Sequence, residues 1–124
     1  MNLKNTINWF EIPVNDYERA INFYESMLDI KLARENMNDI DYALFPADEI
    51  AISGALIKAD FQKPSGQGSL VYLNVEGMMD AAIERAQAQG SNVFFPKTHI
   101  GEPGYIAHIS DSEGNKIALH SMVE

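Results

Sequence analysis

The sequence predicts an α+β protein made of one β-α-β-β-β unit used twice. Three observations carry this. The segments INWFEIPVNDYERAINFYESMLD (7–29) and GSLVYLNVEGMMDAAIERAQAQG (68–90) share one layout, a short β-branched and aromatic strand followed by a helix. Three further strand-like runs follow each helix. Matching residues also recur at fixed offsets. Val14 and Val75, like Ala20 and Ala81, lie 61 residues apart, while Tyr42/Tyr105, Asp48/Asp111, Ala55/Ala118 and Leu56/Leu119 each lie 63 apart. That period is too long for a solenoid repeat and reads as a duplicated half-domain.

In chain order, NWFEIPV is the first strand, and Asn15 with Glu18 three residues on predicts a capping box at the first helix. Tyr17, Ala20, Ile21, Tyr24 and Leu28 then form one apolar stripe at helical spacing. Strands are expected near IKLAREN, DYALFPA and IAISGALIKA. KPSGQG (63–68) is the loop joining half-modules of about 5–62 and 68–122 within one domain, 1–124. In the second helix Met79, Ala82, Ile83 and Ala86 form the stripe, and Gly90 stands where a left-handed C-cap is favoured. Strands near SNVFFPK, GYIAHIS and NKIALHSM complete the unit, the last two separated by the turn DSEGN (111–115). Helices then cover one face of curved sheets.

Composition narrows the function classes. A net charge of −9 argues against nucleic acid, which needs a basic face, and mildly favours neutral or cationic small ligands. No apolar run is long enough to span a bilayer, and MNLKNTINWF lacks a secretory pattern. The chain has no cysteine, which removes thiol nucleophiles and disulfides. A cytoplasmic location is expected.

FEIPVNDYERAINFYESML resembles the opening of the glyoxalase, bleomycin-resistance and extradiol-dioxygenase (vicinal oxygen chelate) superfamily. The resemblance rests on Val14, Asp16 and Phe23-Tyr24. DSEGNKIAL (111–119) is similar to that family's turn before its last strand, with Ser112 where proline is usual. The resemblance covers essentially the whole chain. It implies two βαβββ modules whose eight strands form a U-shaped cup with helices outside, and in many members a homodimer. Loops 33–41 and 96–104 would shape the cup.

Catalytic members hold a divalent metal in the cup, where it acts as a Lewis acid. By the family's spacing its ligand positions fall on Trp9, Ala55, Leu70 and Ala118, none of which offers a metal-binding atom. The expectation is therefore no metal at those positions and no cofactor, with a metal at shifted positions left open.

Strand alternation assigns Trp9 and Glu11, Leu70, Tyr72 and Asn74, and Lys116, Ala118 and His120 to the cup face. Phe10, Ile12, Val14, Val71, Leu73, Val75, Ile117 and Leu119 take the opposite, uniformly apolar face. Trp9, Glu11, Tyr72, Asn74 and His120 are thus the candidate ligand-binding residues, and Glu11 with His120 the candidate catalytic pair. Each has a plainer alternative. Glu11 could form a salt bridge with Lys116 or Arg34. Trp9 could fill the place of a metal ligand, Tyr72 and Asn74 could face trapped water, and His120 could be structural. His108 has no clear parity, and His99 lies in PKTHIGEPG, a loop that could cover the cup. Neither a nucleophile elbow nor a phosphate loop is present.

Three readings follow. The leading one is a protein that binds a small organic molecule in a metal-free cup, as bleomycin-sequestering relatives do. The second is a lyase, isomerase or dioxygenase-like enzyme using relocated ligands or the Glu11/His120 pair. The third is an interaction module with a filled cup.

Overall fold

The computed structural model describes residues 5–124. Its elements follow the predicted order: β1 (Trp9–Pro13), α1 (Tyr17–Leu28), β2 (Ala33–Met37), β3 (Ile40–Leu44), β4 (Ser53–Lys58), β5 (Tyr72–Asn74), α2 (Met79–Ala88), β6 (Val93–His99), β7 (Tyr105–Ser110) and β8 (Lys116–Ser121). They form two four-stranded sheets with identical topology, β1-β4-β3-β2 and β5-β8-β7-β6. In each, the strand before the helix runs parallel to the last strand, and the other pairs are antiparallel. This is the β-α-β-β-β unit twice, and among the described residues no ladder joins one sheet to the other.

Both helices and the apolar faces of both sheets share one core. Ile12, Val14, Leu73, Val75, Ile117 and Leu119 are buried in it, as alternation predicts. The α1 stripe is wider than the sequence pattern shows, because Phe23 and Met27 are buried beside Ala20, Ile21 and Tyr24. On α2, Met79, Ala82 and Ala86 are buried, and Gly90 adopts φ 92° just past the helix.

The N-cap of α1 is Asp16 rather than Asn15. Asp16 is extended (φ −114°, ψ 104°) and its carboxylate accepts the Arg19 N–H at 3.0 Å. Asn15 lies one residue outside, because the amides of Asn15 and Asp16 are both taken by Glu113 Oε1, at 2.9 and 2.7 Å. Residues 33–41 form a hairpin of β2 and β3 rather than an open loop. Asn38 and Asp39, both at positive φ, make its two-residue turn, a geometry that matches strand twist.

The halves are joined through α1 and the turn before β8. The Glu113 side chain is fully buried against the helix N-terminus, where a negative charge is favoured, and Arg19 Nε donates to it at 2.7 Å. Asp111 is also buried. It accepts the Tyr24 hydroxyl at 2.6 Å and the backbone amides of Glu113 and Asn115. Burial, and then the Asp111 charge, push the Tyr24 hydroxyl well above its ordinary pKa, so it stays a donor. Asn115 Nδ2 donates to the Pro13 carbonyl at 2.8 Å, fixing the end of β1. At the other end of α1, Arg85 donates twice to the Met27 carbonyl, at 3.1 and 2.9 Å, satisfying a last-turn acceptor.

Two consequences are measurable. Burial opposes ionisation of Glu113, but hydrogen bonds from Arg19, the Asp16 amide, Ser112 and the Asn15 amide outweigh it and hold the carboxyl at about 2 instead of 4.5. The unfolded chain then binds a proton that the folded chain does not, so stability from this group is full above pH 4.5 and lost as pH falls towards 2. Glu113→Gln should cost roughly 3 kcal/mol at neutral pH in urea denaturation, and should flatten that acid limb. At Gly54 a Cβ would collide with the Phe10 carbonyl oxygen and with its ring at 2.5 Å. Gly54→Ala should therefore cost about 2 kcal/mol in the same measurement.

Candidate functional site

Strand register sets which side chains meet on the faces turned away from the helices. In the first sheet Trp9 stands beside Ser53, and Glu11 beside Ala55. In the second, Tyr72, Ala118 and His108 form one row across β5, β8 and β7, and Asn74, His120 and Ile106 form the next. Lys116 lies one row the other way, opposite Ser110.

A cavity of about 720 Å³ opens between the halves, where the free edge of β5 approaches the start of β1. Phe10, Phe45, Leu28 and Ile30 line its first-half wall, and residues 69–74 line the other. Tyr72 and Asn74 are therefore both at this cavity. Phe10, Val71 and Leu73 also line it, although alternation assigns them to plain core. The reason is topological. With no ladder between the sheets, both faces of edge strand β5 border the gap.

The other predicted residues are held locally. Trp9 is 47% exposed, and its Nε1–H donates to Glu11 Oε2 at 3.3 Å. Glu11 has no salt bridge to Lys116 or Arg34; Arg34 pairs with Glu18. His120 Nε2 bonds the Pro103 carbonyl, which requires the proton on that nitrogen. No hydrogen bond joins Glu11 to His120. Asn74 Oδ1 accepts the Glu76 amide at 2.9 Å, which closes a turn after β5. His99 ends β6 opposite Tyr105, with tilted rings whose centroids are 4.9 Å apart, so it belongs to a strand and not to a covering loop.

A residue without clear parity in the sequence makes the most distinctive contact. The Tyr72 hydroxyl and His108 Nε2 lie 3.1 Å apart, bridging over the fully buried Ala118. The small methyl floor leaves room for the two rings to meet. Burial, and then the charge of Lys116, depress the His108 pKa, so the imidazole stays neutral at pH 7. Phe95 packs on the same imidazole with ring centroids 5.3 Å apart.

Phe94 and Phe95 owe their placement to a break in the ladder. Register passes from Val93↔Ile109 to Phe95↔His108, so β6 spends two residues against one of β7. Such a β-bulge re-aims side chains. Phe94 consequently lies by Lys116, whose Nζ is 6.0 Å from its ring centroid, while Phe95 reaches His108.

The positions that the resemblance assigns to metal ligands hold residues with unsuitable atoms. Ala55 and Ala118 are wholly buried methyl groups, Leu70 is aliphatic, and the Trp9 indole is only a donor. Among the described residues no group of three or more His, Asp or Glu side chains is placed to hold a metal ion. The residues present do not fit the divalent metal of catalytic members.

Solved structures share this fold. A glyoxylase/bleomycin resistance protein/dioxygenase domain from Frankia sp. EAN1pec superposes with a TM-score of 0.70 at 19% identity, covering 94% of this chain and 97% of that one. TnmS3, an antibiotic binding protein from Streptomyces sp. CB03234, gives 0.63 at 22% identity, with 98% of both chains covered. A glyoxalase I mutant from Zea mays gives 0.67 at 18% identity, covering 92% of this chain but 45% of that one. No curated protein matches the chain. The family model of the glyoxalase/bleomycin resistance protein/dioxygenase superfamily matches residues 6–119, and the chain belongs to that superfamily.

Proposed function

We propose that the protein binds a small, largely apolar organic molecule beside β5, without a metal at the family's ligand positions. The observation that carries this is the cavity of about 720 Å³ between the halves, whose size and mainly apolar lining suit a drug-sized ligand. Tyr72 and Asn74 supply polar groups at its wall. Trp9, Glu11 and His120 would contact the ligand from the flanking faces. The likeness to an antibiotic binding protein supports the same reading. An enzymatic role through Glu11 and His120 has less support, because each is already engaged by another group.

A homodimer belongs to this proposal. β1 and β5 each leave one edge without a partner strand, and exposed Trp9 and Tyr72 lie on those strands. Sedimentation velocity at micromolar concentration should give twice the 13.8-kDa monomer mass; a monomer would remove this part alone.

The neutral dye N-phenyl-1-naphthylamine tests the cavity. Its fluorescence should rise saturably with about one site per chain, and Leu70→Trp, which fills the cavity, should weaken binding about tenfold with the melting temperature kept. Absence of saturable binding, or equal affinity for the variant, would overturn the reading. Stoichiometric transition metal in purified protein would overturn its metal-free part.

A further inference from the structure

We infer that the face of the second sheet turned away from the helices binds an aromatic carboxylate. Lys116 and the Tyr72–His108 pair receive the anion, and Phe94 and Phe95 receive the ring. The inference rests on the small-molecule reading and adds a second contact surface, which adjoins the cavity at Tyr72.

Charge is the first argument. The chain carries 18 acidic residues and a net charge of −9, yet the rows on this face hold Tyr72, Asn74, Ser110, His108, Ile106, Lys116, Ala118 and His120, none of them acidic. Lys116 is half-buried and, among the described residues, takes part in no salt bridge. An unpaired ammonium on an acid-free face of an acidic protein is a local positive site. It selects anions where the molecule as a whole repels them.

Directed donors are the second argument. A Tyr72 O–H donating to His108 Nε2 leaves the imidazole proton on Nδ1. The phenol's single proton is spent on Nε2, so the imidazole N–H and the Lys116 ammonium are the two free donor groups on this face. A planar carboxylate can accept from both at once.

The third argument is apolar. Tyr72, Phe94 and Phe95 are 47%, 56% and 37% exposed, a concentration of aromatic surface that a soluble protein seldom leaves uncovered without use. The bulge in β6 brings both phenylalanines beside Lys116 and His108. A strand in regular register would send neighbouring side chains to opposite faces. Together they form an aromatic wall next to a cationic end, which matches a ring bearing a carboxylate.

Isothermal titration calorimetry with 2-naphthoate and its neutral counterpart 2-naphthalenemethanol tests this. The naphthoate should bind at least about tenfold tighter than the alcohol. Lys116→Met should abolish that preference with the alcohol's affinity unchanged, and His108→Gln should reduce it; circular dichroism would confirm that both variants fold. Equal affinities in the wild type, or a preference that survives Lys116→Met, would overturn the inference and leave the small-molecule reading standing. Failure of both probes to bind, including through coverage of this face by a second copy, would overturn the inference. Dye binding at the cavity then decides the broader reading separately.

Discussion

The structure depends on one buried carboxylate. Glu113 belongs to the second half, but its oxygens are spent on the first, accepting the amides of Asn15 and Asp16 and the Arg19 guanidinium. A lone buried carboxylate would be expensive, and this one is stable because a helix N-terminus supplies unsatisfied N–H groups that need an acceptor. Asp111, two residues earlier, holds the turn in shape and takes the Tyr24 hydroxyl from the middle of α1. Arg85 grips the far end of the same helix. The second half therefore holds α1 at its start, middle and end, and the helix replaces a shared sheet as the joint.

That joint explains where the open space lies. If β1 and β5 were hydrogen bonded, the gap between them would be a ladder with strands about 4.8 Å apart. Because the halves are locked through α1, the strands need no direct pairing, and a cavity remains where their edges diverge. Its walls are side chains that would otherwise be ordinary core, such as Phe10 against Phe45 at 5.4 Å. The rigid parts lie at the 111–115 turn, and the adaptable surface lies at β5, which spans only three residues.

Much of the fold was legible because periodicity reports burial directly. The order of the elements, most of both helix stripes and the buried positions of β1, β5 and β8 follow from spacing. Asn15 was misread as the cap because Asn and Asp cap equally well and the deciding acceptor, Glu113, is about a hundred residues away. The 33–41 hairpin was missed because Asn38-Asp39 lacks the glycine that usually marks such a turn. The site was less legible still. Tyr72 and Asn74 line the cavity because β5 is an edge strand and not because of their parity, and His108 required the β7–β8 register. Phe94 and Phe95 required a bulge, whose position the run VFFPKTH does not give: Pro96 marks an edge or irregular strand without saying which residues are re-aimed.

Position 118 shows how a small residue can open a usable surface. A metal-ligating side chain there would stand between β5 and β7 and separate Tyr72 from His108. Alanine removes that barrier, and the two rings meet across its methyl group. Alanine also brings no negative charge, so Lys116 is the charge bearing on His108. A metal site attracts anionic oxygens with a cation held by carboxylates. On the inferred reading, a carboxylate on this face would meet the Lys116 ammonium and the His108 N–H instead, so a side chain would supply the positive charge that a metal ion supplies elsewhere.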